Sequence, residues 1–235
     1  MTALLSIVHQ PNAGPGVFAD GVSDVVEWVP SAGPPPTLDG LSAAMVFGGA
    51  MHVDQHSTHP WLRGEKQLIR ELLNRRVPVL GVCLGAQLLA EAAGSQPRRA
   101  LQPEIGWHRV EVTPEGARDP LIGPLATAFE VFLWHSYEAP LPPGAVELAR
   151  TPLCLQAFRL GDARAWGVQF HSEVTLAGLG AWLDGWAEDE DAAVTRLDPE
   201  AIRRESRRKI AAQTELGRGI ARRFLAEAGS VASPV

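Results

Sequence analysis

The chain has few cysteines, no early cationic residues and no long apolar run. Two cysteines among 235 residues are too few for a disulfide scaffold and fit a reducing compartment. No Lys or Arg precedes Arg63, so the start lacks the positively charged region of a secretory signal peptide. No apolar stretch approaches the length that spans a bilayer. We therefore expect a cytoplasmic protein that does not associate with membranes.

The chain also lacks an excess of positive charge. Its formal net charge of −6 at pH 7 argues against a general nucleic-acid binder. Residues 201–235 carry eight basic and three acidic side chains, and the cluster from Arg203 to Lys209 could form an RNA patch. However, Glu205 and Lys209 have the i,i+4 spacing of a solvated helix face. We expect no nucleic-acid partner.

The first half of the sequence alternates predicted strands with predicted helices. With 46% hydrophobic and 20% charged residues, a chain of this length suits one large α/β domain. The predicted strands are Leu4 to Val8, Asp24 to Val29, Ala43 to Phe47 and residues 77–82, and the predicted helices are residues 60–76 and 84–93. This alternation predicts a central, mostly parallel sheet flanked by helices.

From about residue 105 the chain becomes rich in short strands. These are Trp107 to Val112, Ala128 to Ser136, Val146 to Arg150, Leu155 to Leu160 and Ala165 to Phe170. Their close spacing indicates a β-rich half that completes the same domain, which we predict to cover residues 1–235.

Two features are predicted near the C-terminal end. The acidic run EDED, Glu188 to Asp191, predicts an exposed loop. Asp198-Pro199 is typical of an N-cap and first helical position, which predicts a final helix over about residues 198–228. Gly217 and Gly219 weaken the predicted continuity of that helix.

The segment VPVLGVCLGAQLLAEAAG, residues 77–94, places Cys83 between a predicted strand and a predicted helix. Gly81 and Gly85 remove Cβ atoms from a crowded turn, as in the G-x-S-x-G nucleophile elbow. The positive end of the helix would favour the thiolate, and the N–H of Leu84 would face a developing oxyanion. A structural buried cysteine is the alternative. The order strand, glycines, helix favours a nucleophile.

A thiolate nucleophile needs an acid/base partner that a third group orients. Among seven histidines, His171 directly follows a predicted strand, and Glu173 comes two residues later. A carboxylate at that offset can turn back to the imidazole and fix its tautomer. Cys83, His171 and Glu173 are therefore our candidate catalytic set.

Three separated segments, FGGAM, VPVLGVCLGAQLLA and AWGVQFHSEVT, resemble the class I (triad-type) glutamine amidotransferase family, as found in the glutaminase domain of GMP synthase. The resemblance is best over residues 40–175 and implies a flavodoxin-like α/β fold. Carried over to this chain, Cys83 resembles the nucleophile that forms a γ-glutamyl thioester, His171 the acid/base and Glu173 its orienting partner. The family usually has His-Pro-Glu where this chain has His-Ser-Glu, but the change removes no catalytic atom.

The resemblance also implies roles around the nucleophile. Gly49 matches the glycine of the oxyanion strand, whose N–H would join that of Leu84. Gln87 matches a side chain that contacts the substrate glutamine. The segment WHSYE resembles the family's H-S-(hydrophobic) segment, so the substrate α-groups are expected at His135, Ser136 and Tyr137.

Two other groups of residues offer possible chemistry. The loop after Gly49 contains His52, Asp54, His56 and His59, which could be imagined as a metal site. The loop lacks a defined register and the family resemblance implies no metal, so we expect a polar rim instead. Cys154 has neither glycines nor a helix start beside it and is expected to be inert. We expect no cofactor.

The resemblance implies hydrolysis of the glutamine side-chain amide through a cysteinyl thioester, giving glutamate and ammonia. The sequence contains no G-x-x-x-x-G-K-[ST] segment, so we expect a separate synthetase to accept the ammonia. Two alternatives stay open. One is a γ-glutamyl peptidase or hydrolase that acts alone with the same triad, and the other is a catalytically silent binding module on this fold.

Overall fold

The computed structural model describes residues 3–161 and 163–229. Within them, nine strands form one sheet in the order β2-β1-β3-β4-β9-β8-β7-β5-β6. The strands are β1 Ala3–Ile7, β2 Val25–Trp28, β3 Leu41–Val46, β4 Val79–Val82, β5 Arg98–Val112, β6 Ala128–Glu138, β7 Ala145–Arg150, β8 Leu155–Leu160 and β9 Ala165–Val168. The α-helices are α1 Leu62–Asn74, α2 Leu84–Ala92, α3 Leu176–Asp184, α4 Glu190–Ala193 and α5 Pro199–Gly229. None of these helices has the length and apolar character that crossing a membrane requires.

The sheet is parallel in one half and antiparallel in the other. Strands β2, β1, β3, β4 and β9 run parallel, whereas β8, β7, β5 and β6 are joined by antiparallel pairings. The α/β prediction is confirmed, with the parallel part where strands alternate with helices. The β-rich second half adds the antiparallel strands, so the whole sheet is mixed. The predicted domain limits of 1–235 include residues 1–2, 162 and 230–235, which lie outside the described part, and stay a prediction.

Helices cover both faces of the parallel half. Along β3, Ala43 and Met45 pack in the cluster that contains Phe224 of α5, because alternate side chains of a strand point to opposite faces. Ala44 and Val46 pack in the cluster formed with α1 and α2. A strand buried on both faces has the continuous apolar sequence that these strands show.

The acidic run Glu188 to Asp191 is not the exposed loop that we predicted. Trp186–Glu188 forms a 3₁₀ turn, and α4 begins at Glu190. The carboxylate of Asp189 accepts hydrogen bonds from the N–H groups of Asp191 and Ala192, both at 2.9 Å. An N-cap of this kind can start a helix within a strongly acidic run.

Helix α5 is continuous through both of its internal glycines, so the predicted interruption does not occur. A Cβ atom at Gly217 would lie 2.0 Å from the carbonyl oxygen of Ser172. Glycine is therefore required where the helix contacts the segment between His171 and Glu173. At Gly219 the nearest atom is Nη1 of Arg223, at 2.9 Å from the ideal Cβ position.

The two glycines give a matched pair of variants. We expect Gly217→Ala to lower the free energy of unfolding by about 1–3 kcal/mol, because backbone atoms must move apart. Gly219→Ala displaces only the end of a flexible side chain, and alanine favours a helix over glycine by up to about 1 kcal/mol. Its stability should be unchanged or higher. Urea unfolding of both variants measures the difference, and equal losses would contradict the close contact at Ser172.

Candidate active site

Cys83 lies on a sharp turn between β4 and α2. Its backbone has φ 53° and ψ −109°, a conformation that residues other than glycine rarely adopt. A Cβ at Gly81 would lie 2.5 Å from the carbonyl oxygen of Gly85, and one at Gly85 would lie 2.0 Å from that of Val46. Both glycines are thus needed for the strand, the turn and the helix to pack this closely. The local geometry is that of a nucleophile elbow.

Two residues that line the cavity with Cys83, one at the start of α2 and one just after β3, have unused backbone N–H groups. Leu84 is the first residue of α2, so its N–H has no acceptor within the helix. In the part of the chain that the structure describes, the N–H of Leu84 and that of Gly49 have no acceptor. Both residues line the same cavity as Cys83. Two free donors at this position can stabilise a negatively charged oxygen.

His171 and Glu173 follow the end of β9. The Nδ1 atom of His171 donates to Oε1 of Glu173 at 2.7 Å, and both side chains are buried. A Cβ built on Gly48 would lie 3.0 Å from Cε1 of His171 and 3.5 Å from Cβ of Cys83. The imidazole of His171 and the side chain of Cys83 therefore both pack against Gly48. The ring of Trp182 packs edge-on against His171 with ring centres 4.8 Å apart.

The electrostatic environment keeps His171 protonated. Burial by itself lowers the pKa of His171, but the interactions of the imidazole with Glu173 and Cys83 raise it to about 10. An imidazolium at neutral pH can give a proton to a leaving group. The structure thus brings the three residues predicted as a catalytic set into one connected group.

A cavity of about 630 Å³ opens in front of the cysteine. Eight of the nine predicted site residues line it: Gly49, Cys83, Leu84, Gln87, His135, Ser136, Tyr137 and His171. Glu173, the ninth, lies behind His171 and contacts its Nδ1 atom. The predicted residues are therefore assembled around one space.

The side-chain amide of Gln87 is held in one orientation. Its Nε2 atom donates to the carbonyl oxygen of Tyr137 and to Oε1 of Gln169, each at 3.2 Å. These two bonds use both amide hydrogens and leave the amide oxygen as an acceptor. The Tyr137 carbonyl also accepts a hydrogen bond from Nδ1 of His135 at 3.0 Å.

The side chain of His135 lies in a buried polar cluster that the sequence did not reveal. Its Nε2 atom is 3.2 Å from Oε2 of Glu104, which also accepts from Nε2 of Gln156 at 2.9 Å. Potential ligand atoms of Glu104, His135 and Cys154 all lie within 4.8 Å of one another. The hydrogen bonds already account for the His135 and Glu104 positions. Burial and the nearby carboxylates raise the pKa of the Cys154 thiol, which opposes reactivity at neutral pH.

The histidine loop after Gly49 contributes to the rim of the cavity. His52 and His59 line it, and the ring of His52 stacks on Tyr137 with ring centres 4.2 Å apart. Asp54 accepts a hydrogen bond from the Tyr137 hydroxyl at 3.1 Å. Potential metal ligands found within 3–161 and 163–229 do not include a cluster of these loop histidines.

Sequence reasoning missed the segment that covers the opposite side of the cavity. The carboxylate of Asp191 accepts hydrogen bonds from Arg99 and Ser136 and lies 3.2 Å from Nε2 of His52. Although burial raises the pKa of Asp191, hydrogen bonds from Ser136 and Arg99 lower it overall. Asp189 accepts a hydrogen bond from the indole of Trp134 at 2.7 Å. These contacts join parts of the chain far apart in sequence, so no local pattern could indicate them.

Comparison with known proteins places these motifs in a family. The family model described as "Glutamine amidotransferase class-I" matches residues 25–182. The "Putative glutamine amidotransferase-like protein YfeJ" of Salmonella typhimurium is 30% identical over 148 residues, which cover 62% of each chain. One subunit of the glutamine-hydrolysing GMP synthase of Haloquadratum walsbyi is 32% identical over 151 residues, 63% of this chain and 76% of that protein. The chain thus matches less than two thirds of the YfeJ protein.

Solved structures show the same fold. A glutamine amidotransferase from Thermotoga maritima superposes with a TM-score of 0.84 at 25% identity, covering 95% of this chain and 98% of that one. A glutamine amido transferase from Methylobacillus flagellatus gives a TM-score of 0.82 at 27% identity, covering 96% and 94%. The predicted resemblance and fold class are confirmed. The chain belongs to the class I glutamine amidotransferase family.

Proposed function

We propose that the chain hydrolyses the side-chain amide of glutamine through a thioester on Cys83 and releases glutamate and ammonia. One observation carries the proposal: Cys83 sits on a strained strand-to-helix turn beside His171, whose Nδ1 atom is held by Glu173. A nucleophile, an acid/base and an orienting carboxylate in contact are the elements of a catalytic triad. A silent binding module has no need of this arrangement.

In the first step, the Cys83 thiolate attacks the carbonyl carbon of the substrate amide. The oxygen that becomes negative lies between the free N–H groups of Gly49 and Leu84. The amide oxygen of Gln87 accepts a hydrogen bond from the substrate, and the backbone at Ser136 and Tyr137 holds its α-groups. The cavity wall made by these residues supports this placement.

In the second step, His171 gives its proton to the leaving nitrogen, and ammonia departs as the thioester forms. Water then attacks the thioester while His171 accepts a proton, which releases glutamate and regenerates the thiolate. Glu173 keeps the proton on Nδ1 throughout and stabilises the imidazolium.

We further propose that a separate synthetase subunit uses the ammonia. Support comes from relatives in two organisms whose names describe one subunit of a glutamine-hydrolysing GMP synthase. We extend this arrangement to the present chain, with residues 1–235 as one glutaminase domain.

A γ-glutamyl hydrolase that acts alone is a second candidate. The cavity of about 630 Å³ falls within the range of about 300–1,000 Å³ typical of pockets for drug-sized ligands. This space exceeds what one glutamine needs. A substituent on the amide nitrogen could therefore be accommodated beside Trp182 and α4.

Turnover of two substrate types separates the candidates. We expect the purified chain to release ammonia from glutamine more readily than it cleaves γ-glutamyl peptides. The reason is that the amide oxygen of Gln87 is free to accept a hydrogen bond from the substrate glutamine. Cys83→Ala should abolish both reactions, whereas Cys154→Ala, the matched control, should keep them. Fast cleavage of γ-glutamyl peptides with poor use of glutamine would replace the amidotransferase proposal by the hydrolase.

Covalent labelling tests which cysteine is the nucleophile. A glutamine analogue with an electrophile at the amide position should modify Cys83, which lines the cavity, and leave Cys154 free. Mass spectrometry of proteolytic peptides identifies the labelled residue. Excess glutamine should slow the labelling. Modification confined to Cys154 would refute the assignment.

The raised pKa of His171 predicts a limit at alkaline pH. Because His171 must hold its proton to protonate the leaving nitrogen, kcat/KM should fall as pH rises through about 10. Glu173→Gln removes a negative charge that raises this pKa, so the decline should begin at lower pH. The exposed carboxylate of Glu71 provides a control, and Glu71→Gln should leave the profile unchanged. An alkaline limb that does not move in Glu173→Gln would contradict the role of Glu173.

A further inference from the structure

A second buried histidine–carboxylate pair lies directly behind the oxyanion strand. His9 follows β1, which pairs in parallel with β3, and Gly48 follows β3. The Nδ1 atom of His9 is 3.0 Å from the carbonyl oxygen of Gly48, and Nε2 is 2.8 Å from Oε1 of Glu65 in α1. Both side chains are completely buried. Trp61 stacks on the imidazole with ring centres 5.6 Å apart.

The contacts of His9 fix which of its nitrogens carries a proton. A carbonyl oxygen only accepts hydrogen bonds, so Nδ1 must donate to Gly48. The proton between Nε2 and Glu65 can belong to either group, and in both cases Nδ1 keeps its own proton and remains a donor. Burial by itself lowers the pKa of His9, but the carboxylate of Glu65 raises it overall. The hydrogen bond to the Gly48 carbonyl is therefore maintained.

The Gly48 carbonyl and the Gly49 N–H belong to one planar trans peptide group. They point in opposite directions, so a bond that holds the oxygen also sets the direction of the N–H. A peptide flanked by two glycines turns easily because neither residue has a Cβ. In the described residues the Gly49 N–H has no acceptor, and Gly49 lines the cavity with Cys83.

We propose that His9 and Glu65 are positioning residues that hold the Gly48–Gly49 peptide with the Gly49 N–H directed at the oxyanion of the tetrahedral intermediate. The proposal rests on the proposed function and goes beyond the triad, since neither residue touches the substrate. A Cβ at Gly49 would lie 2.9 Å from Cβ of His9, so the two residues are in direct contact. Oε2 of Glu65 is buried without a hydrogen-bond partner among the described residues. A buried carboxylate with an unpaired oxygen costs stability and needs a reason beyond packing.

Two substitutions separate the two nitrogens of His9. The amide nitrogen of asparagine lies near the position of Nδ1, and that of glutamine lies near the position of Nε2. Both are made in a Glu65→Gln background, so that no buried charge is left unpaired, and Glu65→Gln alone is the reference. We expect His9→Asn to retain most of kcat, since it still donates to Gly48. His9→Gln should lower kcat about 100-fold, the typical loss of one oxyanion donor, with little change in KM.

Two further measurements make the outcomes unambiguous. Alkylation of Cys83 by iodoacetamide forms no oxyanion, so its rate should be equal in all variants if the fold and nucleophile are intact. Crystal structures of the reference and the His9→Gln double variant should show the Gly48–Gly49 peptide turned only in the latter.

Equal kcat values for the asparagine and glutamine variants, or an unturned peptide, would overturn the proposal. An unmodified chain that cleaves neither glutamine nor γ-glutamyl peptides would instead refute the proposed function. The crystal structures would still decide whether His9 holds the peptide.

Discussion

The close packing of β3, β4 and the start of α2 is the constraint on which the site depends. Gly85 lies so near the Val46 carbonyl that no side chain fits, and Cys83, two residues earlier, has a strained backbone conformation. Because β4 lies between β3 and β9 in the parallel part of the sheet, the segments after all three strands emerge at one edge. Gly48 and His171 therefore arrive on either side of the cysteine. The turn at Cys83 and the strand order together place Cys83 between Gly48 and His171.

The local parts of this arrangement could be predicted from sequence, since each has a pattern. The glycines around Cys83, the two-residue offset of His171 and Glu173, and the alternation of strands and helices all depend on neighbours along the chain. The parallel half follows from the alternation of strands and helices, whereas the antiparallel pairing of the second half was not predicted. The assignment of roles to the individual site residues remains a proposal that the geometry supports.

The missed features depend on contacts between distant segments. His9 meets Gly48 and Glu65 across separations of 39 and 56 residues, and nothing local marks it as different from a core histidine. The acidic run was interpreted from its composition alone, whereas Asp191 finds Arg99 and Ser136 only in the folded chain. Gly217 weakened the predicted helix because propensity was considered without the Ser172 carbonyl that requires it. Tertiary contacts outweighed local preference in each case.

Three buried histidine–carboxylate pairs lie at or behind the cavity wall: His9–Glu65, His135–Glu104 and His171–Glu173. Buried pairs of this kind are weak evidence for stability, because desolvation offsets much of the attraction between the charges. Removing one partner, however, costs about 3–5 kcal/mol. Such pairs therefore hold groups in place more effectively than they stabilise the fold. His9 donates to the Gly48 carbonyl and His135 to the Tyr137 carbonyl, while His171 packs beside Cys83 at Gly48.

This interpretation bears on how ammonia release is controlled. Two adjacent glycines at the oxyanion strand suit an enzyme whose Gly48–Gly49 peptide turns only when the ammonia-accepting subunit docks. Glycine lowers the free energy that such a rotation requires. A histidine that already holds the Gly48 carbonyl opposes that mechanism, because its hydrogen bond must break before the peptide can turn. A preset oxyanion donor makes the chain competent without a partner, which the hydrolase candidate also requires. Control of glutamine use would then act on substrate access to the cavity. At the cavity opening, Asp191 of α4 contacts Arg99, Ser136 and His52.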